Sequence, residues 1–383
     1  MKALFINPSR EVYGSEQSML ALLQAADLEA VVVCPGGSAL ETRLRRDGIA
    51  HRALEFGKVS LRRNPLWHFS LFRNLTSILK SERPDAVIIN LDGNTPLVTI
   101  AVSRLSIPLV RFCRFEFMPP RRRLDRWCWL RADAVICPSK VVQDQFRKWL
   151  PRDARVAVHQ IYDSCVDQRA PESGIAAFRR KLDLTGRHVV GCVGRLHPDK
   201  RIETAVRAHS RVLKKIPDAQ LLIIGGAGSA HEIGYETALR ALVDELELSA
   251  SVTFAGALPR SDMPAAFGAM DVCILPSSTE SFGMVLAESW KQGVPTVASD
   301  VGGCHEISIA SGGGLLAPVD SDESFASQVL RLLLDRPAAA RMGQCGAAWV
   351  TANCDPASSS KRLYSIISDV IAARTRRSPE QRT

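Results

Sequence analysis

The chain has 383 residues, of which 46% are hydrophobic and 6% aromatic, and its formal net charge is +9. This length exceeds one ordinary domain, and so much apolar material excludes disorder as the general state of the chain. The positive charge indicates a polyanionic partner, such as anionic lipid, nucleic acid or a phosphorylated small molecule, although a merely arginine-rich surface is an alternative interpretation.

The ten cysteines are scattered between Cys34 and Cys354, and none forms a C-x-x-C pair. Several lie inside apolar runs, which predicts buried thiols in a reducing compartment instead of a disulfide framework or a zinc site. The apolar run at the start of the chain is too short for a signal peptide, and no stretch of about 18 apolar residues could span a membrane. We therefore expect a cytoplasmic protein.

Short apolar runs alternate with amphipathic helical patterns along the first half of the chain. The predicted strands are 3–7, 30–34, 86–90, 109–113, 134–137 and 156–158. The predicted helices are 16–26, 66–81, 96–105 and 140–150. Apolar strands joined by helical crossovers are typical of a parallel sheet that is covered on both faces.

The same alternation restarts after a polar stretch at 163–174, which we interpret as a linker. The predicted strands of the second half are 189–193, 220–224, 252–254, 272–275 and 296–299. The predicted helices are 201–215, 235–246, 284–292, 324–334 and 338–350. We therefore predict an α/β chain of two doubly wound domains, with a last helix near 361–373 that could belong to either and a frayed tail from Arg374.

The segment 276–288 follows a predicted buried strand, and a helix is expected to begin near Gly283. Ligands of open parallel sheets bind outside the carboxyl ends of strands, where a helix N-terminus offers free N–H groups to a phosphate. Glu280 precedes this helix, and Glu288 lies about 7.5 Å beyond Gly283 along its axis. The spacing suits a sugar and a ribose with a diphosphate between them, although a cap and a solvated side chain are the alternatives.

Arg195 and Lys200 place two cations on one loop, between the strand predicted at 189–193 and the following helix. Arginine offers a rigid fork for phosphate oxygens and lysine a mobile point charge, so together they could neutralise a departing diphosphate. The alternative is ordinary surface charge.

Two glycine-containing segments follow other predicted strands. Gly302 and Gly303 are predicted to form a tight loop with exposed N–H groups, or an ordinary turn. Gly14, in Tyr13-Gly14-Ser15-Glu16, would let the backbone approach a ligand at the opposing lip of a cleft.

These segments together resemble glycosyltransferase family 4, whose members have the GT-B fold, over nearly the whole chain. The marks of the resemblance are Gly14 to Glu16, Ala132-Asp133-Ala134-Val135 leading to Ser139, Ile161-Tyr162-Asp163, Gly194-Arg195 with Lys200, Gly225-Gly226, the Glu280 to Glu288 spacing, and Gly302-Gly303 with Glu306. The resemblance implies two Rossmann-like domains facing across a cleft. It implies an acceptor-binding domain over 1–165, a donor-binding domain over 175–360, and a last helix, about 361–376, that crosses back onto the first domain.

The resemblance implies a retaining transfer of sugar from a nucleotide-sugar, such as a UDP- or GDP-sugar, to an acceptor hydroxyl in lipopolysaccharide, exopolysaccharide or glycolipid synthesis. The implied catalytic residues are Arg195 and Lys200, on the diphosphate, and Glu280, on the transferred sugar. Glu288 would bind the ribose, and backbone N–H groups at 283–285 would hold phosphate and sugar. The implied donor-binding residues are Gly14, Ser15, Gly194, Arg195, Lys200, Glu280, Phe282, Gly283, Met284, Val285 and Glu288.

The sequence departs from the family pattern in two places. Arg114 stands where many members have a histidine, which puts a histidine-assisted step in doubt, and Asp163-Ser164 replaces the usual Asn-Gly. Glu16, Arg114 and Glu116 are the candidate acceptor-side residues.

No metal or other cofactor is expected from this resemblance. Asp320 and Asp322 match the D-x-D pattern of metal-dependent transferases, but they lie just before a predicted helix. We therefore interpret them as a turn and an N-cap.

Basic and aromatic residues are interleaved in two stretches of the first half, at 61–69 and 111–131. Such a mixture suits an anionic lipid surface and also RNA, and core aromatic residues beside a solvated basic face are the alternative. In the transferases that this chain resembles, the first half holds the acceptor. The resemblance therefore implies peripheral contact with the inner face of the cell membrane and a lipid-linked or saccharide acceptor. A nucleic-acid partner is not expected, because no recognition motif accompanies the charge.

Three other functions are compatible with parts of the pattern. A sugar-nucleotide epimerase or hydrolase could share the double fold, and a catalytically silent module could bind the nucleotide-sugar. A nicotinamide dehydrogenase is disfavoured because Pro8-Ser9-Arg10-Glu11 follows the first strand, where a glycine fingerprint would be needed.

Overall fold

The computed structural model describes residues 1–25, 28–57, 65–93, 95–166 and 168–377. They form two compact units: unit 1 comprises Met1–Ser164 and the segment that begins at Asp355, and unit 2 comprises Cys165–Cys354. The sequence placed the second domain over 175–360, whereas unit 2 also takes in 165–174 and ends before the last helix.

The described residues of unit 1 form seven strands and seven helices. The strands are β1 (Lys2–Ile6), β2 (Glu29–Cys34), β3 (His51–Ala53), β4 (Ala86–Ile89), β5 (Leu109–Phe112), β6 (Ala134–Cys137) and β7 (Ala157–Gln160). The helices are α1 (Gly14–Gln24), α2 (Ala39–Arg46), α3 (Pro65–Glu82), α4 (Thr95–Arg104), α5 (Arg123–Leu130), α6 (Lys140–Trp149) and, from the end of the chain, α15 (Pro356–Arg377).

The sheet of unit 1 is parallel in every described pairing and has the order β3-β2-β1-β4-β5-β6-β7. Its central strands are buried on both faces, because helices cover each side. The direction of winding reverses between β1 and β4. That reversal opens a crevice at the carboxyl ends of these two strands, where ligands of doubly wound sheets bind.

The last helix closes the core of unit 1. α15 packs against α1, and its buried side chains join the cluster that contains Phe5 and Met19. These side chains are Leu363, Ile366, Ile367 and Val370. Arg374 Nε also donates to Asp133 at 2.8 Å, so a helix from the far end of the sequence completes this unit.

In unit 2, the part of the chain that the structure describes forms six strands and eight α-helices. The strands are β8 (His188–Val193), β9 (Ala219–Ile224), β10 (Val252–Gly256), β11 (Val272–Leu275), β12 (Thr296–Ser299) and β13 (Gly314–Ala317). The helices are α7 (Glu172–Lys181), α8 (Ile202–Leu213), α9 (Ala230–Glu245), α10 (Met263–Gly268), α11 (Met284–Lys291), α12 (Gly302–Ser311), α13 (Asp322–Leu334) and α14 (Arg336–Asn353). The parallel sheet has the order β10-β9-β8-β11-β12-β13, so its winding reverses between β8 and β11.

Several sequence-based boundaries need correction. Gly302 and Gly303 do not form a loop, because they are the first two residues of α12. The predicted linker ends earlier than expected, since α7 begins at Glu172. The frayed tail predicted from Arg374 is helical as far as Arg377, and the rest of that tail, like Ala26 of the first predicted helix, lies outside the described residues.

The ten cysteines, all of which lie in the described residues, form no disulfide bonds, and nine of them are buried. Only Cys345 is exposed. Burial raises the pKa of the Cys192 thiol to about 12, so this side chain behaves as an apolar core residue.

Candidate functional site

The charged loops of unit 2 meet at the reversal point of its sheet. The loop after β8 carries Gly194, Arg195 and Lys200, and the loop after β11 carries Glu280 and leads into α11. Because β8 and β11 pair directly, their carboxyl ends lie side by side. The sheet therefore brings these two loops together.

Lys200 and Glu280 form the central ion pair of this site. The ammonium of Lys200 lies on Oε1 of Glu280, which also accepts a hydrogen bond from Ser277 Oγ at 3.0 Å. A second bond joins the two loops, since the Ser278 amide donates to the Asp199 carbonyl at 2.8 Å. The cation and the carboxylate are thus fixed to each other.

The N-terminus of α11 is shaped by glycines. Gly283 precedes the helix with φ +101°, a conformation that glycine adopts without steric cost. Phe282 is buried, so only its backbone can face a ligand. At the start of α12 the Gly303 amide donates to the Glu280 carbonyl at 2.8 Å, and a Cβ at Gly303 would lie 2.5 Å from Phe282 Cα. Close packing of α12 therefore holds the 280–282 backbone in place.

Arg195 is paired with a residue that the sequence did not single out. Its Nη1 lies 3.2 Å from Glu232 Oε1, in the first turn of α9. The Gly228 amide donates to Glu232 at 2.8 Å, and this bond, the Ser229 bonds and the Arg195 charge hold the pKa of the Glu232 carboxyl below its usual range. The signal in the sequence was the capping box formed by Ser229 and Glu232.

The glycines on the loop after β9 permit a close approach to the Arg195 loop. A Cβ at Gly225 would lie 1.8 Å from the Gly194 carbonyl oxygen, and Gly225 has φ +158°. The side chain of Lys200 covers Gly194, since a Cβ there would meet Lys200 Cδ at 3.7 Å. The first contact explains why glycine stands at position 225, whereas the distance at Gly194 is an ordinary van der Waals contact.

Glu288 also has an unanticipated partner. It is buried on α11, with 6% of its surface exposed, and its Oε1 accepts from Arg260 Nη1 at 2.7 Å. The alternative interpretation of Glu288 as a solvated helical residue is therefore wrong. No local pattern pointed to Arg260, because it lies on the loop after β10 and reaches α11 only through the tertiary fold.

In unit 1, Gly14, Ser15 and Glu16 form the first turn of α1. Glu16 is fully buried, where its Oε2 accepts from the Tyr13 amide at 3.0 Å and from Ser15 Oγ at 3.1 Å. Through these two bonds the Glu16 carboxylate stabilises the first turn of α1. Glu116 accepts from Gln145 Nε2 at 3.2 Å.

Arg114 lies in a buried polar cluster at the carboxyl ends of the strands of unit 1. Its guanidinium pairs with Asp163, and Nε donates to Asn90 Oδ1 at 3.0 Å. Burial lowers the pKa of Arg114, whereas the Asp163 charge opposes that shift. Ser18 Oγ donates to the same aspartate at 2.9 Å. Arg114 and Asp163, the two departures from the family pattern, thus bind each other.

Among the residues that the structure describes, no cluster of three or more histidine, cysteine or acidic side chains lies at the D-x-D segment. Ser321 caps α13 by accepting from the Ser324 amide, as the sequence predicted. Asp320 pairs with Arg201 at 3.3 Å and Asp322 with Arg211 at 2.7 Å.

The basic and aromatic stretch of unit 1 divides between core and surface. Phe117 and Trp129 pack into an aromatic cluster with Phe146, and Arg111 and Arg114 are buried. The exposed members are Phe115, Met118, Arg121, Arg122, Arg123, Leu124, Arg126 and Arg131. The second stretch falls partly on 61–64, outside the described residues. None of the helices in the described part of the chain has the length and apolarity to cross a membrane.

Each unit is a Rossmann-like fold with a parallel sheet, and in unit 2 the charged loops meet at the strand ends. Two such units in one chain define an α/β protein of the GT-B class. Residues 175–349 match the family model described as glycosyl transferases group 1, and residues 17–160 match the model described as glycosyltransferase family 4. The chain belongs to glycosyltransferase family 4, as the resemblance indicated.

The curated proteins similar to this chain include glycosyltransferases. A GDP-mannose-dependent alpha-(1-6)-phosphatidylinositol monomannoside mannosyltransferase of Mycobacterium tuberculosis is 33% identical over 46% of this chain. A D-inositol 3-phosphate glycosyltransferase of Nocardia farcinica is 36% identical over 44% of this chain and 38% of its own length. The matched part spans about half of the mycobacterial relative, at 46%.

Among solved structures, the Anabaena protein HepE in complex with UDP-glucose has the same fold. It superposes with a TM-score of 0.84 over 96% of this chain and 100% of its own, at 22% identity. At that identity the likeness establishes the fold alone.

Proposed function

We propose that this protein is a retaining glycosyltransferase that moves a sugar from a nucleotide-sugar to an acceptor hydroxyl, in lipopolysaccharide, exopolysaccharide or glycolipid synthesis. The observation that carries the proposal is the Lys200–Glu280 pair beside the N-terminus of α11. It places a cation, a carboxylate and free helix N–H groups at the reversal point of one sheet.

In this proposal the donor lies on unit 2. The first amides of α11, at Met284 and Val285, hold the diphosphate, Glu280 accepts from hydroxyls of the transferred sugar, and Glu288 accepts from the ribose. The ion pairs of Glu280 with Lys200 and of Glu288 with Arg260 orient both carboxylates before the donor arrives.

Catalysis would come mainly from stabilisation of the leaving group. When the bond between the anomeric carbon and the phosphate oxygen breaks, negative charge builds on the diphosphate. Lys200, Arg195 and the α11 N-terminus would neutralise that charge, and a preorganised arrangement of this kind is usually the largest catalytic contribution. The acceptor oxygen then attacks on the face that the diphosphate leaves, and its proton passes to the departing phosphate, so the anomeric configuration is retained. This scheme assigns no step to a metal ion.

The nucleotide of the donor is proposed to be UDP or GDP. Relatives whose names specify GDP-mannose and a solved structure that contains UDP-glucose support these two over other nucleotides. The acceptor is proposed to bind unit 1 and to be lipid-linked or saccharide, since the names of two relatives specify an inositol phosphate or a phosphatidylinositol glycoside.

We also propose that unit 1 touches the inner face of the cell membrane. Met118 is 81% and Leu124 50% exposed, and Arg121, Arg122 and Arg123 lie between them in the chain. Apolar side chains flanking a short basic run suit an anionic lipid surface. Binding to anionic liposomes at low salt that disappears at high salt would support this location, and its absence at low salt would contradict it.

A donor screen tests the proposed function. The purified full chain is heated in the presence of UDP-, GDP-, ADP- and dTDP-sugars, and a true donor should raise the melting temperature by mass action. The stabilising donor is then incubated with candidate acceptors, and NMR of the product reports the anomeric configuration. Retention supports the proposal. Inversion contradicts it, and release of free sugar or of an epimer without acceptor would instead favour a hydrolase or epimerase.

A further inference from the structure

Unit 1 contains a cavity of about 630 Å³ at the reversal point of its own sheet. Pro8 and Ser9, after β1, form one wall, and Asp92 and Gly93, after β4, form another. This is the position at which doubly wound sheets bind ligands, and the volume lies within the range of about 300–1,000 Å³ found for small-molecule sites. None of the residues that the resemblance assigned to donor or acceptor lines it.

The charged residues of this cavity are two carboxylates and one guanidinium. Arg111 lies beneath it with 1% of its surface exposed, stacked 3.5 Å over the ring of Trp129. Its Nη2 donates to Asp92 Oδ1 at 2.5 Å, while the Asp92 side chain remains 48% exposed. Asp125 is exposed in the first turn of α5. Among the described residues that line the cavity the formal charge is therefore negative, which disfavours a phosphate or another anion.

The carboxylates of the cavity require a ligand that donates hydrogen bonds, because Asp92 and Asp125 can only accept when ionised. Nε and Nη1 of Arg111 have no partner in the part of the chain that the structure describes, but these two atoms are buried, so a ligand in the cavity does not reach them. Hydroxyl groups supply the donors that the carboxylates need, whereas a phosphate dianion supplies acceptors alone.

Aromatic side chains complete the walls. Phe115 is 64% exposed at the cavity, and Phe56 and Trp129 also line it. The negative face of an aromatic ring packs favourably on the apolar, weakly positive C–H face of a sugar ring. Carboxylates that accept from neighbouring hydroxyls, beside such a ring, suit a pyranose or cyclitol.

We infer that this cavity binds an uncharged sugar or cyclitol ring of the acceptor, with Asp92 as the hydroxyl acceptor and Phe115 as the stacking surface. Arg111 is a positioning residue that orients Asp92. The inference rests on the proposed function, because it treats unit 1 as the acceptor-binding unit. It specifies that any phosphate or lipid on the acceptor lies outside this cavity.

Saturation-transfer NMR on the full chain tests the assignment. The ligands are methyl α-D-mannopyranoside, methyl α-D-glucopyranoside and myo-inositol as uncharged rings, with glucose 1-phosphate as the anionic counterpart. At least one uncharged ring should bind, and more tightly than glucose 1-phosphate. Asp92→Asn and Phe115→Ala should each weaken it by about tenfold, the effect of one charged hydrogen bond or one stacking contact.

Asp144→Asn is the matched control, because it removes the same charge from an exposed position on α6 away from the cavity. It should leave ring binding unchanged. Phe115 is exposed, so its variant stays interpretable if Asp92→Asn fails to fold. Absence of ring binding to the wild type, tighter binding of glucose 1-phosphate, or wild-type affinity in both cavity variants would each overturn the assignment.

Nucleotide binding, measured on the same samples, separates this inference from the proposed function. Intact UDP or GDP binding without ring binding rejects the cavity and leaves the transferase proposal standing. Ring binding without any nucleotide binding rejects the transferase proposal instead.

Discussion

The charged side chains assigned to the donor are each held by an opposite charge within unit 2. Lys200 pairs with Glu280, Arg195 with Glu232, and Glu288 with Arg260. Such pairs orient the functional groups before a ligand arrives, and removal of one member leaves its partner without compensation. Functional effects at these positions therefore depend on the partner as well as on the residue replaced.

Replacement of Lys200 by alanine should lower turnover by about 10²–10³-fold, the usual effect of losing one group that stabilises developing negative charge. The measurement is kcat with the donor and acceptor found in the screen, with circular dichroism to establish folding. Lys291→Ala is the control, since Lys291 bonds only to Thr351 in the described contacts, at 3.2 Å on the surface of unit 2. Equal turnover in the two variants would contradict the role of Lys200.

The buried side chain of His209 is expected to make the free energy of unfolding depend on pH. It is 2% exposed on α8, its Nε2 lies 3.1 Å from the Ser251 carbonyl, and burial lowers its pKa to about 4. An unfolded histidine titrates near 6.5, so between these values the unfolded chain binds more protons and stability falls as the pH falls. The full loss is about 3 kcal/mol.

Urea unfolding of the wild type and of His209→Gln between pH 4 and 7 measures this contribution. The glutamine variant should lack the part of the pH dependence that is due to His209, and its stability curve should be flatter across that interval. Parallel curves for the two proteins would show that His209 does not contribute.

At the scale of elements, the contact between α12 and the 280–282 backbone determines where Glu280 lies. A methyl group at Gly303 would be 2.5 Å from Phe282 Cα and from the Ser281 carbonyl oxygen, neither of which can move without shifting the loop. Because the Gly303 amide also bonds to the Glu280 carbonyl, a shift at this position displaces the carboxylate itself.

Gly303→Ala should destabilise unit 2 by about 1–3 kcal/mol, as overpacking does, and should weaken donor binding. The matched control is Gly234→Ala on α9, where an added Cβ meets no atom within 4 Å and where alanine favours the helix by about 0.5–1 kcal/mol. Melting temperature and nucleotide affinity are the readouts. A Gly303 variant as stable as the Gly234 variant would refute the packing argument.

The elements that could be predicted from the sequence are those with a strong apolar pattern. The buried strands at the centre of both sheets were found within about two residues, the usual uncertainty of element ends. β3 was missed because it is a polar edge strand, His51-Arg52-Ala53, that buries little surface. α12 was missed because two glycines at a helix start look like a loop until their close contacts are known.

The site residues could be predicted from the sequence only where a charged side chain follows one of the paired central strands. Lys200 and Glu280 each follow a strand, so the topology rule brought them together. The partners Glu232 and Arg260 follow other strands, and the sequence contains nothing that fixes which cation meets which carboxylate. The cavity of unit 1 could not be predicted either, because its walls come from segments that are far apart in the sequence. Arg111 also belongs to a basic stretch that the sequence suggests is exposed, although this side chain is buried.

At the scale of the whole molecule, the chain leaves unit 1 at Ser164 and returns to it at Asp355. Ile367 on α15 is fully buried in the core of unit 1. Ile367→Ala should therefore cost about 2–5 kcal/mol in the stability of unit 1 and leave nucleotide binding, which we assign to unit 2, unchanged.

Urea unfolding and nucleotide titration of the same variant measure both effects. Ala373→Lys, at an exposed position on the same helix, is the control. Lysine is a good helix former and its charge suits a helix C-terminus, so stability should change by less than about 0.5 kcal/mol. An equal effect of the two substitutions would mean that α15 is not part of the core of unit 1.

This connectivity has a consequence for biosynthesis. All of unit 2 leaves the ribosome before α15 does. Unit 2 is therefore able to finish folding while unit 1 still lacks the helix that completes its core. Until Pro356–Arg377 arrives, the apolar surface that Leu363 and Ile367 will cover stays open to chaperones and to other nascent chains.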